Sequence, residues 1–268
     1  MAKAMMSLCA AALCLSAAAV SAQDFDFRSY YTDHQDEIEA RRSSMEFRSP
    51  DRFIAQAGPG PDLPCPVDSD VPERVQQQLS DDFAFIKTIR GSSASRLHRE
   101  VFGEVDGENY YKFFTSRVKS IGLDECGGGN AVACVQPYYD PSKMWLTQNY
   151  IKFSHPQIAR LMVVFHESRH TETNHGNWMH AKCPTPFADE NGREYTSIWT
   201  GASLAGEPAC DRTAFGSYGS SMIMLKNVQK FCSSCTDKVR MDAGIYADDQ
   251  FNRVIDAQAR SSIRKDLY

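Results

Sequence analysis

The chain has 268 residues, 42% of them hydrophobic and 24% charged, with a formal net charge of −5. That length can bury a core of useful size, and the composition is that of an ordinary globular protein rather than a disordered or fibrous one. The mild acidity and the lack of a basic stripe argue against a nucleic-acid partner, which rewards clustered Lys and Arg.

Residues 1–22, "MAKAMMSLCAAALCLSAAAVSA", carry one Lys and then a uniform apolar run that closes on Val20-Ser21-Ala22. This is the pattern of a signal peptide, with an expected periplasmic or secreted product. No later apolar run is long enough to span a bilayer, so no stable membrane insertion is expected after cleavage. Residues 23–64 are charged and lack a period, and "AQAGPGPDLPCP" breaks regular structure; they read as a flexible arm or a propeptide. One catalytic-size domain is expected over 65–268.

Export sets the reading of the cysteines. Seven of the nine lie beyond residue 22: Cys65, Cys126, Cys134, Cys183, Cys210, Cys232 and Cys235. In an oxidising compartment most should form disulfides, and the odd number leaves one over. Cys126 and Cys134 bracket a short loop. Cys232 and Cys235 read as disulfide partners rather than a thioredoxin-like redox motif.

Val71, Val75, Leu79, Phe83 and Ile86 recur at helical spacing before Gly91, which predicts a helix. "GENYYKFFTSRVKSIGL" is a second helix candidate. "AVACVQPYY" and "KMWLTQNYIKF" are rich in aromatic and β-branched residues and predict strands. "SHPQIARLMVVFHESRHTE" then predicts a helix capped by Ser154, with Pro156 near its first turn. Ile158, Leu161, Met162 and Phe165 form its inward stripe.

On that helix His166 and His170 are four apart and share one face. Two neutral imidazoles so placed converge on one Zn²⁺. Glu167, between them, suits a general base that takes a proton from water as the water attacks a carbonyl. The string is H-E-x-x-H. A catalytic zinc needs a third protein ligand and an open fourth position. The candidates are His175, His180 and Glu207. Glu207 and Asp211 are four apart in "LAGEPACDRTAFGSYGSSMIML", where Ala209, Ala214, Met222 and Leu225 suggest a second helix. Glu207 would complete a His₂Glu site. Asp211 would accept the free ring N–H of a ligand histidine and fix its tautomer. An oxyanion donor should also exist, with Tyr218, His175, His180 and Arg240 as candidates.

The pair of motifs, His166-Glu167-x-x-His170 followed by Glu207-x-x-x-Asp211, resembles the gluzincin (thermolysin-like) zinc metallopeptidases. The resemblance rests on these two motifs and does not reach residues 23–140. It implies one zinc ion held by His166, His170 and Glu207, Glu167 as base, Asp211 behind the ligands, and a polypeptide substrate. Cys210 and Pro208 depart from the usual second motif. The implied fold is α+β and zincin-like: a small twisted sheet, the histidine helix and a later helix carrying Glu207 and Asp211. The substrate is expected to pair with an edge strand in "KMWLTQNYIKF". Two other functions fit the same residues: a disulfide-bonded binding protein with a degenerate or structural zinc site, and a zinc amidase acting on cell-wall peptides.

Overall fold

A computed structural model describes residues 62–127 and 130–268. The expected signal peptide and nearly all of the expected arm or propeptide lie outside the described residues.

The chain is a mixed α+β fold in which helices surround a three-stranded sheet. Helix α1 (Glu73–Lys87) buries Val75, Leu79, Phe83 and Ile86, the stripe that its spacing predicts. Helix α2 (Arg96–Phe102) starts at Ser95, whose hydroxyl accepts from the His98 amide. Helix α3 (Gly107–Arg117) is capped by Asp106. Gly107 is required there, because a Cβ would stand 2.3 Å from the carbonyl oxygen of Ile86.

The second helix candidate therefore stops early. Val118 turns extended, and Ser120–Leu123 form strand β1. Strand β2 (Ala133–Gln136) and strand β3 (Asp140–Leu146) complete the sheet in the order β1-β3-β2. β1 runs parallel to β3 and β2 antiparallel. The strand expected from "KMWLTQNYIKF" ends at Leu146, and its remainder forms the short helix α4 (Gln148–Lys152). β3 is the middle strand, so the edge strands are β1 and β2 instead. The Thr147 amide donates to the Val132 carbonyl. By antiparallel alternation this aims the backbone of Ala133 and Val135 away from β3.

Helix α5 (Gln157–His170) is buried along most of its length. It packs against α1, α3, β2 and β3, and against two later helices, α6 (Ser217–Phe231) and α7 (Asp237–Asn252). Ile158, Leu161, Met162 and Phe165 are all buried. Pro156, not Ser154, occupies the N-cap position, without a side-chain cap bond. Helix α8 (Ala257–Leu267) closes the chain and buries Ile263 and Leu267.

Between α5 and α6 the chain forms a 3-10 helix (Thr173–Trp178) and then loops. The expected second helix covers only its later part: Ser217–Phe231 is helical, whereas Glu207 and Asp211 lie in irregular chain. Gly206 has φ +76°, Pro208 follows, and Cys210 pairs through its backbone with Ala181. Each of these removes residues 206–211 from a helical path. Three disulfides form: Cys126–Cys134, Cys183–Cys210 and Cys232–Cys235. The odd cysteine is Cys65, half-buried, with burial pushing its thiol up to about 11. The disulfides suit an oxidising, non-cytosolic compartment. Among the described residues no helix is long and apolar enough to cross a membrane.

Candidate metal centre

Helix α5 presents His166 and His170 one turn apart, with their Nε2 atoms 3.2 Å from each other. The third imidazole of the group is that of His180. Its Nε2 lies 3.1 Å from each of the other two. His180 sits in a loop, and the turn before it brings it back to the helix. Gly176, Asn177 and Trp178 all have positive φ, at 60°, 56° and 46°. This left-handed run reverses the chain so that His180 faces the helix that His170 ends.

Hydrogen-bond accounting fixes two of the rings. Nδ1 of His170 lies 2.7 Å from the Asn177 carbonyl oxygen, so that nitrogen carries the proton. Nδ1 of His180 lies 3.0 Å from Oδ1 of Asp211 and donates to it. Both Nε2 atoms then hold lone pairs aimed at one another and at His166. Burial holds the imidazoles of His166 and His170 in the neutral form, well below the ordinary histidine range, with His170 at about 3. With the lone pairs of His170 and His180 turned on one point beside Nε2 of His166, a cation answers the arrangement. The separations fit one: four ligands at ordinary zinc–nitrogen distances stand about 3.3 Å apart. His166, His170 and His180 are therefore a group able to hold a metal ion.

Glu167 is buried beside the group. Its carboxylate accepts from the Val135 amide on the edge of β2, while Oε2 has no hydrogen-bond partner. Burial pushes its carboxyl up to about 8 in the absence of a cation. The ring of Tyr218, at the start of α6, lies 4.4 Å from that of His166 and stacks at 4.5 Å on that of His180. Its hydroxyl accepts from Nη1 of Arg253 at 3.1 Å, which leaves the hydroxyl proton to be donated elsewhere.

A cleft of about 700 Å³ opens over these groups. Ala133, Val135, Met162, Trp199 and Leu204 give it mostly apolar walls, and Glu207 also lines it.

The other sequence candidates take different places. Glu207 is exposed and lies outside the histidine group; the position the sequence assigned to its carboxylate is taken by the His180 imidazole. Asp211 is buried behind the group, with His180 as its histidine partner. His175 is exposed and stacks on Trp178 at 4.8 Å. Arg240 pairs with Asp237 on α7 and does not line the cleft. The sequence signal for His180 was the "HGN" turn, whose Gly and Asn favour a left-handed reversal. A second acid–thiol cluster, Asp124 with Cys126 and Cys134, is no metal site, because its two sulfurs are bonded to each other.

Comparison with protein-family models, with curated proteins and with solved structures gives no match.

Proposed function

We propose that the protein is an exported zinc-dependent hydrolase of the zincin type that cleaves peptide bonds. The observation that carries the reading is the convergence of three imidazole Nε2 atoms 3.1–3.2 Å apart beside a buried carboxylate with one unpartnered oxygen. Among the described residues no fourth Asp, Glu, His or Cys joins the three. An open position favours catalysis over a closed structural site. Neutral imidazole donors suit zinc, which also agrees with the H-E-x-x-H string.

A bound Zn²⁺ supplies Lewis-acid polarisation of a carbonyl and makes a ligated water acidic near neutral pH. Glu167 takes the proton of the attacking water and returns it to the departing amine as the C–N bond breaks. Tyr218 donates its hydroxyl proton as a hydrogen bond to the developing oxyanion, with Arg253 holding the phenol oxygen from behind. A polypeptide substrate extends along the edge of β2, where Ala133 turns its backbone groups away from β3. The test is metal analysis joined to peptide hydrolysis. The wild type should carry one zinc per chain and cleave an unstructured protein substrate. Glu167→Gln should keep the zinc and lose at least a hundredfold in turnover. A chain that takes up no zinc would overturn the reading.

A further inference from the structure

His166 and His170 stand on a helix buried in the main core, so the fold positions both. His180 has no such support. It lies beyond the left-handed turn, in a stretch without helix or strand from Met179 to Gly216. Asp211 and the ring of Tyr218 hold its imidazole, and its backbone is tied through Ala181 in a short ladder to the chain around Cys210. The Ala181 amide donates to the Cys210 carbonyl at 2.7 Å, and the Cys210 amide returns a bond to Ala181 at 3.1 Å. The Cys183 amide donates to Glu207 at 2.8 Å. The Cys183–Cys210 disulfide closes this ladder.

Both partners at the site lie within three residues of the crosslink. Cys210 precedes Asp211, whose Oδ1 receives the proton of His180 Nδ1. Cys183 follows His180 by three residues. The two cysteines are also half of a small satellite core whose other buried members are Phe187 and Leu204. Trp199 and Ile198 anchor the middle of the enclosed loop on the main core. The bond at Cys232–Cys235 lies at the far end of α6, and Cys232 pairs with Gly91 there.

We infer that the Cys183–Cys210 disulfide positions His180, so that the three-histidine site is complete only after these two cysteines are oxidised. The inference rests on the reading of His166, His170 and His180 as a metal centre. Closing the bond removes two electrons and two protons from the thiol pair and passes them to a disulfide-bearing oxidant, which becomes a dithiol. Before that step the chain holds only the two helical ligands, and the hydrolase stays inactive in a reducing compartment.

The test uses the full oxidised chain with Zn²⁺ as probe, titrated against a chromophoric chelator, and Co²⁺ absorption as a report on ligand number. Cys183→Ala/Cys210→Ala should bind Zn²⁺ at least tenfold more weakly than wild type, with a Co²⁺ spectrum matching that of His180→Ala. Cys232→Ala/Cys235→Ala should bind as wild type does. Equal Zn²⁺ affinity and an unchanged Co²⁺ spectrum in Cys183→Ala/Cys210→Ala would overturn the inference while leaving the metal centre standing. A wild type that binds no Zn²⁺ would overturn both, before any cysteine is changed. If the alanine pair does not fold, the Cys126→Ala/Cys134→Ala/Cys232→Ala/Cys235→Ala chain, which keeps Cys183–Cys210, is reduced with a phosphine and followed by circular dichroism. Loss of Zn²⁺ with helicity kept supports the inference, and loss of both overturns it, because the bond would then hold the fold and not the ligand.

Discussion

Asp211 meets His180 through one oxygen and helix α6 through the other. Oδ1 lies 3.0 Å from Nδ1 of His180, while Oδ2 accepts the amides of Tyr218 at 2.7 Å and Gly219 at 3.2 Å. A single buried carboxylate thus orients the third imidazole and caps the helix that carries the tyrosine.

Replacement of Asp211 tests both halves. Asp211→Asn keeps an oxygen for one partner and turns an NH₂ group on the other. Zinc affinity should fall about 10- to 100-fold, as for other carboxylates behind a ligand histidine. Loss of the cap should cost about 1 kcal/mol. Chelator competition and calorimetry read the two effects separately.

Gly216 makes that geometry possible. A Cβ there would stand 2.3 Å from Oδ2 of Asp211. Gly216→Ala should push the carboxylate away and destabilise the protein by about 1–3 kcal/mol, the usual cost of overpacking. Zinc affinity should fall with it. An unchanged melting temperature and unchanged zinc binding would contradict the assignment.

Glu172 clamps the left-handed turn. Its carboxylate accepts from Arg117 Nε at 2.7 Å, Arg169 Nη1 at 2.7 Å and Trp178 Nε1 at 2.7 Å. Its carbonyl accepts the Asn177 amide. Glu172→Ala leaves Arg169 buried without its carboxylate, a change that costs about 3 kcal/mol or more. It also frees the turn that aims Asn177 at His170. Chemical denaturation should show the lost stability, and zinc should dissociate faster than from the wild type in a stopped-flow chelator trap.

His98 gives a pH signature away from the site. Its Nδ1 faces the Gly103 carbonyl and its Nε2 the Tyr110 hydroxyl, and burial lowers its pKa from 6.5 to about 4. The unfolded chain therefore binds a proton between pH 6.5 and 4 that the folded chain refuses. This contribution to stability is fully present above pH 6.5 and is lost as pH falls toward 4, by about 3 kcal/mol. His98→Gln should flatten that part of the stability profile, measured by denaturant melts across the window.

The legible parts of the sequence were those with a period. Val75, Leu79, Phe83 and Ile86 announced α1, and Ile158 to Phe165 announced α5, because burial of one face repeats every turn. His166, Glu167 and His170 were legible for the same reason. His180 stood only as one of three candidates for the third ligand, because a left-handed reversal has no period and its reach depends on three consecutive φ values. Glu207 and Asp211 misled through their spacing: four apart implies a shared helical face only where the chain is helical. Here Gly206, Pro208 and the backbone pairing of Cys210 prevent that. Asp211 sits behind a histidine by a different route, through a ladder that only the folded chain reveals.

The loop closed by Cys183 and Cys210 also supplies one wall of the cleft, through Ser197, Trp199, Ala202, Ser203 and Leu204. Its two ends are tied beside His180 and Asp211, while its interior faces the cleft. The loop is therefore an exchangeable cassette. Side chains within it can be rewritten to suit a different ligand, and the imidazole and carboxylate at its knot stay where they are.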